Sequence, residues 1–353
     1  MGALIPPRAD QGLGGGYHSP QVHVSVRLNT NESPYPPPPG WVEALAREVA
    51  GVPFNRYPDR GAHALREGLA ELHGVRPDQV FVANGSNEVL QTLLLAYGGP
   101  GRSAAVFEPT YALHSHIARL TGTAVAVGER APDFLLDPVE VKRVITESEP
   151  AVTFVCSPNN PTGRSEPAGA VAGVVELAPG LVVVDEAYGQ FSPRSALELV
   201  GDDVPLAVVR TYSKTWAMAA ARLGYLVGPA PVVAALESRA LPYHLDAVKQ
   251  LAGRLALRYR PEMEARVAAI AAERDRLAGA LAALDVECWP SDANFLLFRP
   301  LGAPARRVWQ GLLDRSVLVR DCSAWPRLDG CLRVTVGTPE EDDTFLAALA
   351  EVL

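Results

Sequence analysis

The sequence predicts a three-layer α/β/α domain built on about seven mostly parallel strands, with a smaller α+β domain after it and an N-terminal arm before it. Three observations carry this. From about residue 41, short β-branched apolar runs alternate with stretches of helical periodicity, the pattern of a sheet with helices on both faces. The segment Leu241-Pro242-Tyr243-His244 breaks that rhythm, and a mixed order of helices and strands follows it. The first 40 residues are crowded with glycine and proline.

Residues 1–40 read as an extended arm, packing with the smaller domain and a partner subunit. Gly12, Gly14, Gly15 and Gly16 precede a proline stretch, Pro34 and Pro36 to Pro39, that cannot be helical. Gly12-Leu13-Gly14 is no dinucleotide fingerprint, because no strand precedes it and no helix follows. In residues 41–245 the expected strands are Val80–Ala83, Ala104–Phe107, Ala124–Val127, Val152–Cys156, Leu181–Val184, Leu206–Arg210 and Gly224–Val227. Most are unbroken apolar runs, as a sheet covered on both faces requires. Helices at Ser86–Tyr97 and Pro138–Glu147 separate some of them. In residues 246–353 a long helical pattern breaks near Pro261 and continues through Met263 to Leu284. Strands are expected at Val286–Trp289, Asn294–Phe298, Val317–Arg320 and Cys331–Val336, with helices near Pro304–Asp314 and from Pro339.

Composition narrows the function. A hydrophobic content of 48% with 20% charged residues describes a soluble globular chain. The net charge of −8, without any basic block, argues against a nucleic-acid partner. No run of 18 or more apolar residues suggests a membrane span. Met1 to Asp10 lacks a signal-peptide pattern, and Pro6 stands where a myristoylation signal needs Ser or Thr. A cytoplasmic enzyme is expected. Cys156, Cys288, Cys322 and Cys331 lack zinc spacing and read as buried free thiols, so no metal is expected.

The chain has three lysines against 29 arginines, and one of the three is Lys214, in Thr211-Tyr212-Ser213-Lys214-Thr215-Trp216. Arginine stays protonated near neutral pH and cannot form a Schiff base; a desolvated lysine can. Four features fall at or just past the carboxyl ends of predicted strands, where open α/β sheets bind ligands. Asn84-Gly85-Ser86-Asn87-Glu88 opens a helix and suits a phosphate, although Ser86 could be a plain N-cap. Ser157-Pro158-Asn159-Asn160-Pro161-Thr162-Gly163 could be no more than a loop. Asp185-Glu186-Ala187-Tyr188 puts a carboxylate at a buried strand end, costly unless it meets a cation or donors. Ser213-Lys214 with Arg222 is the fourth. Together they form a set that could hold and tune pyridoxal phosphate.

These segments resemble the fold-type I pyridoxal-phosphate aminotransferases, and within them most closely the histidinol-phosphate aminotransferase family. The resemblance runs from Tyr17-His18-Ser19-Pro20 and Leu28-Asn29-Thr30-Asn31-Glu32 through Arg56-Tyr57-Pro58-Asp59, Glu108-Pro109-Thr110-Tyr111 and Ser291-Asp292-Ala293-Asn294 to Leu332-Arg333-Val334-Thr335-Val336-Gly337. It implies that Lys214 bonds the cofactor's aldehyde and that Asp185 pairs with its ring nitrogen. Asn160 and Tyr188 would meet the ring hydroxyl, and Tyr111 would stack on the ring. Ser86, Asn87, Ser213 and Arg222 would hold the phosphate, with Tyr57 reaching the partner's phosphate in an obligate homodimer. Tyr17, Arg320 and Arg333 would receive the substrate's phosphate or carboxylate; without the resemblance, Arg320 reads as a surface cation.

The activity so implied is transfer of the amino group of L-histidinol phosphate to 2-oxoglutarate, with Lys214 moving the proton. An aminotransferase for aromatic or other amino acids is the alternative within the fold. A cofactor-binding transcription regulator would need a basic helix-turn-helix that the arm cannot supply. Thr215, Trp216 and Ser33 depart from the family's commoner residues.

Overall fold

A computed structural model of the chain describes residues 21–353. Its first strand, β1 (Val26–Leu28), lies in the stretch expected to be an extended arm. Then come α1 (Pro39–Val49), α2 (His63–His73), β2 (Val80–Ala83), α3 (Ser86–Tyr97), β3 (Ser103–Glu108), α4 (Leu113–Leu120), β4 (Ala124–Glu129) and α5 (Pro138–Ser148). β5 (Val152–Cys156), α6 (Ala170–Leu177), β6 (Leu181–Asp185), β7 (Leu206–Thr211), β8 (Gly224–Val227) and α7 (Ala230–Glu237) complete the larger unit's alternation.

β2 to β8 form one seven-stranded sheet in the order β2-β8-β7-β6-β5-β3-β4. Only β8 runs antiparallel to its neighbours. β5, β6 and β7 are buried at every residue, which is why their sequences are unbroken Val-rich runs. Leu90, Leu93, Ile117, Val233 and Leu236 from α3, α4 and α7 cover one face. Val141, Val144, Ile145 and Val174 from α5 and α6 cover the other. The three-layer expectation therefore holds.

The second sheet has five strands, in the order β1-β11-β12-β10-β9. Its members are β9 (Val286–Cys288), β10 (Phe295–Pro300), β11 (Val317–Asp321) and β12 (Leu332–Thr335), joined by β1 from the far end of the chain. β1 pairs in parallel with β11, Val26 opposite Val317. A three-residue strand exists only because that edge is there to receive it, so the local sequence could not announce it.

The helical pattern after residue 246 splits as expected into α8 (Ala247–Leu257) and α9 (Arg260–Leu281), with Pro261 in the first turn of α9. α8 does not pack with the second sheet. Leu251, Ala252, Leu255 and Ala256 join Trp41, Leu65, Leu69, Tyr212 and Tyr225 in the core that covers β2 and β8. α9 then passes from that core at Met263, past Ile270 beside Tyr188, to Leu277 and Leu281 in the core of the second sheet. α9 thus contributes residues to both cores. α10 (Ala305–Asp314) and α11 (Pro339–Val352) finish the smaller unit.

Candidate active site

The carboxyl ends of β5, β6 and β7 open onto a cavity of about 200 Å³ that is also reached by the residues following β1. Asp185 is the last residue of β6, opposite Cys156 of β5, and is 2% exposed. Its Oδ1 accepts the Ala187 N–H at 3.0 Å. Its Oδ2 lies 3.0 Å from Nε2 of His114, a fully enclosed ring from α4 that stacks on Phe154 at 4.7 Å. These partners offset the cost of burying the carboxylate. His114 was not foreseen: on an amphipathic helix such a histidine reads as one more core-facing residue.

Lys214 follows β7. Its Nζ donates to the carbonyls of Asn31 at 2.7 Å and Thr30 at 3.1 Å. Enclosure, reinforced by the Arg333 and Arg222 guanidinium groups and opposed by Glu32, pushes its ammonium down to about 7. A neutral, nucleophilic amine is therefore accessible near neutral pH.

One end of the cavity has the features of an anion site. Gly85, at φ +85°, is the residue before α3, and Ser86 is the first helical residue. The reading of Ser86 as a plain N-cap is thus corrected: the turn belongs to Gly85, and Ser86 lines the cavity with Asn87. First-turn N–H groups without helical partners and the positive dipole end face an anion here. Arg222, itself at φ +52°, donates from Nη1 to Ser213 Oγ at 3.1 Å and to the Ala219 carbonyl at 3.2 Å.

Two glycines make this cradle possible. A Cβ on Gly85 would stand 2.8 Å from Arg222 Nη2, and one on Gly224, the first residue of β8, would stand 2.4 Å from Ser86 N. Gly224 carries no signal in the sequence beyond opening a strand. Gly224→Ala must push the α3 start off β8, and overpacking of this kind costs about 1–3 kcal/mol. We expect cofactor affinity to fall about tenfold or more, measured by titrating the cofactor's absorbance. An unchanged affinity would remove this glycine from the cradle.

The other end is built for a ring and a carboxylate or phosphate. Tyr188 is 4% exposed, and its hydroxyl accepts from Asn31 Nδ2 at 2.9 Å, leaving its own proton to donate. Burial pushes that phenol above its ordinary range, so the proton stays. Asn160 Oδ1 accepts from Arg333 Nη1 at 2.5 Å, which leaves its Nδ2 donors for a ligand. Arg333 also donates to the Asn29 carbonyl at 3.1 Å, and its buried Nε has no hydrogen-bond partner. Tyr111 donates to Asn87 Oδ1 at 3.2 Å and meets His114 edge-on.

Asn31 is the second residue the sequence reading passed over. At φ +53° it joins Lys214, Tyr188, Thr335 and Asn294, and so ties the chain after β1 to both sheets. An asparagine tolerates this backbone where a β-branched residue would not.

The cavity therefore gathers Ser86, Asn87, Tyr111, Asn160 and Asp185 with Tyr188, Ser213, Lys214, Arg222 and Arg333. Arg320 lies beside it, opposite Arg333 on the neighbouring strand, and is 8% exposed, so the plain reading of it as a surface cation does not hold. Tyr57 is not gathered: it is 81% exposed and stacks on Tyr243 at 4.5 Å. Tyr17 lies outside the described residues. Thr215 and Trp216 are buried away from the cavity lining, and Trp216 stacks on Tyr212. Ser33 hydrogen-bonds the Tyr35 carbonyl. A larger recess of about 410 Å³ at Asp59, Arg66, Phe81 and Glu237 has no lysine amine. Among the described residues no cluster could hold a metal ion, and no helix is long and apolar enough to cross a membrane.

An amine half-neutral near pH 7, a buried strand-end carboxylate and a glycine-built anion cradle form a donor set that fits pyridoxal phosphate. The comparisons agree. The chain is 47% identical to a histidinol-phosphate aminotransferase of Frankia casuarinae, over 96% of this chain and 87% of that one. It is 47% identical to another of Thermobifida fusca, over 98% and 95%. The crystal structure of histidinol-phosphate aminotransferase from Sinorhizobium meliloti in complex with pyridoxal-5'-phosphate superposes with a TM-score of 0.86 at 25% identity, covering 93% of this chain and 91% of that one. A sequence model of aminotransferase class I and II matches residues 24–349, and with the site just described it makes this chain a member of that aminotransferase family.

Proposed function

We propose that the chain is a histidinol-phosphate aminotransferase, exchanging an amino group between L-histidinol phosphate and 2-oxoglutarate in histidine biosynthesis. The observation that carries the choice of donor is the pair Arg320 and Arg333, cross-strand neighbours 8% and 3% exposed beside the lysine-bearing cavity. Two adjacent buried guanidinium groups suit a phosphate dianion, whereas one planar fork satisfies a carboxylate. The full-length relatives of that name support the same reading.

Pyridoxal phosphate, when bound, supplies an aldehyde that takes the donor's amine and a ring that stores the electron pair left at Cα. This chain's residues do the rest. Ser86, Asn87, Ser213 and Arg222 would hold the cofactor's phosphate. Asp185 would keep a proton on the ring nitrogen, and Asn160 and Tyr188 would donate to the ring hydroxyl oxygen. Tyr111 would cover one ring face. Lys214 would bond the cofactor's aldehyde and, when freed, its neutral amine would take the proton from the donor's Cα. Arg320 and Arg333, with Tyr17 from the arm, would hold the donor's phosphate, and Arg333 the carboxylate of 2-oxoglutarate. The substrates use one site in turn, so the kinetics are ping-pong.

The enzyme is a cytoplasmic homodimer in this reading, with no nucleic-acid or membrane partner. Tyr57, exposed with Phe54 and Leu241, would reach the partner's cofactor phosphate across that interface. The chain divides into an arm, a cofactor-holding unit and a smaller unit that begins along α9. Steady-state comparison of histidinol phosphate with phenylalanine as donor tests the assignment. A preference for histidinol phosphate in kcat/KM of about 10²-fold or more is expected, because a phosphate dianion can engage both guanidinium groups and a carboxylate only one. A preference for phenylalanine would overturn it.

A further inference from the structure

The loop between β11 and β12 places an indole against both arginines at once. Trp325 lies 5.2 Å from the Arg320 guanidinium carbon and 5.9 Å from that of Arg333, measured to its ring centre. The opposite positions of Arg320 and Arg333 in the antiparallel ladder put both side chains on one face of the sheet. Two like charges so placed repel, and each gains by facing the negative face of an aromatic ring. Phe295 flanks Arg333 at 5.1 Å, so that guanidinium is held between two rings.

The loop itself is braced. Cys322 N–H donates to the Cys331 carbonyl at 3.0 Å, Trp325 N–H to the Cys322 carbonyl at 2.9 Å, and Leu328 N–H to the Trp325 carbonyl at 3.1 Å. The indole packs against a buried cluster that includes Phe134, Leu297 and Leu328. A ring fixed this firmly fixes what it touches. Ring faces attract guanidinium planes without using their N–H groups, so the indole holds the two side chains without competing for those hydrogen bonds.

We propose that Trp325 is a positioning residue that spaces Arg320 and Arg333 as a clamp for a phosphate dianion and so selects phosphate-bearing amine donors. This rests on the reading of the donor given above. A phosphate can bridge two guanidinium groups held at a set separation, while the carboxylate of 2-oxoglutarate needs only Arg333. The effect of losing the ring therefore falls on one substrate more than the other.

The test uses holoenzyme, in which the cofactor's own phosphate fills the cradle at α3. Trp325→Leu is expected to raise KM for histidinol phosphate about tenfold, with kcat within about twofold and KM for 2-oxoglutarate within about threefold. Calorimetric titration with inorganic phosphate should show an affinity about tenfold weaker than wild type, and Trp325→Phe should recover most of it. Trp325→Gln serves as the second non-aromatic variant if leucine lowers the melting temperature sharply. The proposal is overturned if a folded non-aromatic variant binds phosphate like wild type, if both KM values rise alike, or if Trp325→Phe loses as much as Trp325→Leu. Should wild type fail to convert histidinol phosphate, the assigned reaction falls, and the phosphate titrations still decide the role of Trp325.

Discussion

Lys214→Ala is expected to lower turnover by at least about 10³–10⁴-fold, because one side chain supplies both the covalent anchor and the mobile base. Lys214→Arg should be as inactive, although it keeps the positive charge; an arginine beside Thr30 and Asn31 can still donate to their carbonyls but cannot give up its proton at neutral pH. The pair separates the need for an amine from the need for a cation. Borohydride reduction of the wild-type holoenzyme should fix the cofactor to the peptide containing Lys214 and to no other lysine. A labelled Lys142 or Lys249, or a Lys214→Ala enzyme with native turnover, would end the assignment.

The same lysine predicts a pH dependence. Its ammonium is pushed down to about 7 from an ordinary 10.5, chiefly by enclosure and then by Arg333. Cofactor-free protein should therefore react with the aldehyde at a rate that rises from pH 6 to 8 with a midpoint near 7, where an exposed lysine would still be climbing above pH 9. Linkage has the matching sign. Between about 7 and 10.5 the unfolded chain holds the lysine proton and the folded chain does not, so this group makes folding more favourable as pH rises through that window. A rate midpoint near 10 would show that the amine is not desolvated.

The parts of this site that the sequence announces are those carried by one segment. Asp185 stands out because an acid ends an apolar run, and Lys214 because lysine is almost absent. What stayed hidden depends on meetings between distant segments. Lys214 meets the carbonyl of Asn31 across 183 residues, and Arg333 meets Asn29 across 304. No periodicity marks Asn31, whose importance comes from its backbone conformation and four partners. β1 is illegible for the same reason, being a strand only against β11. Leu241-Pro242-Tyr243-His244 reads as a break in the alternation, and no local pattern after it shows that α8 returns its apolar face to the first core. Ser86 was legible as the first residue of its helix; what the sequence does not show is that Gly85 makes the turn before it, at φ +85°.

Asp185→Asn should lower kcat by about 10²–10³-fold while leaving the melting temperature within a few degrees of wild type. In the proposed mechanism this carboxylate would pair with the protonated ring nitrogen, and its loss would remove the charge that holds that proton in place. The amide that replaces it has the same shape. Its oxygen can still accept the Ala187 N–H, and its nitrogen can donate to His114 Nε2 once that ring carries its proton on Nδ1. His114 Nδ1 has no hydrogen-bond partner, so that tautomer replaces an unpaired buried acceptor with an unpaired buried donor, at a cost of about 1 kcal/mol. The fold therefore keeps its hydrogen bonds and only the charge is removed, which makes this variant a cleaner probe than Asp185→Ala, where a buried histidine would lose its partner. Cofactor absorbance in the Asn variant should show the molecule still bound, held at the α3 end by Ser86 and Arg222. If kcat stays within about threefold of wild type with the cofactor in place, the ring nitrogen does not depend on this carboxylate, and the role given to the end of β6 is wrong.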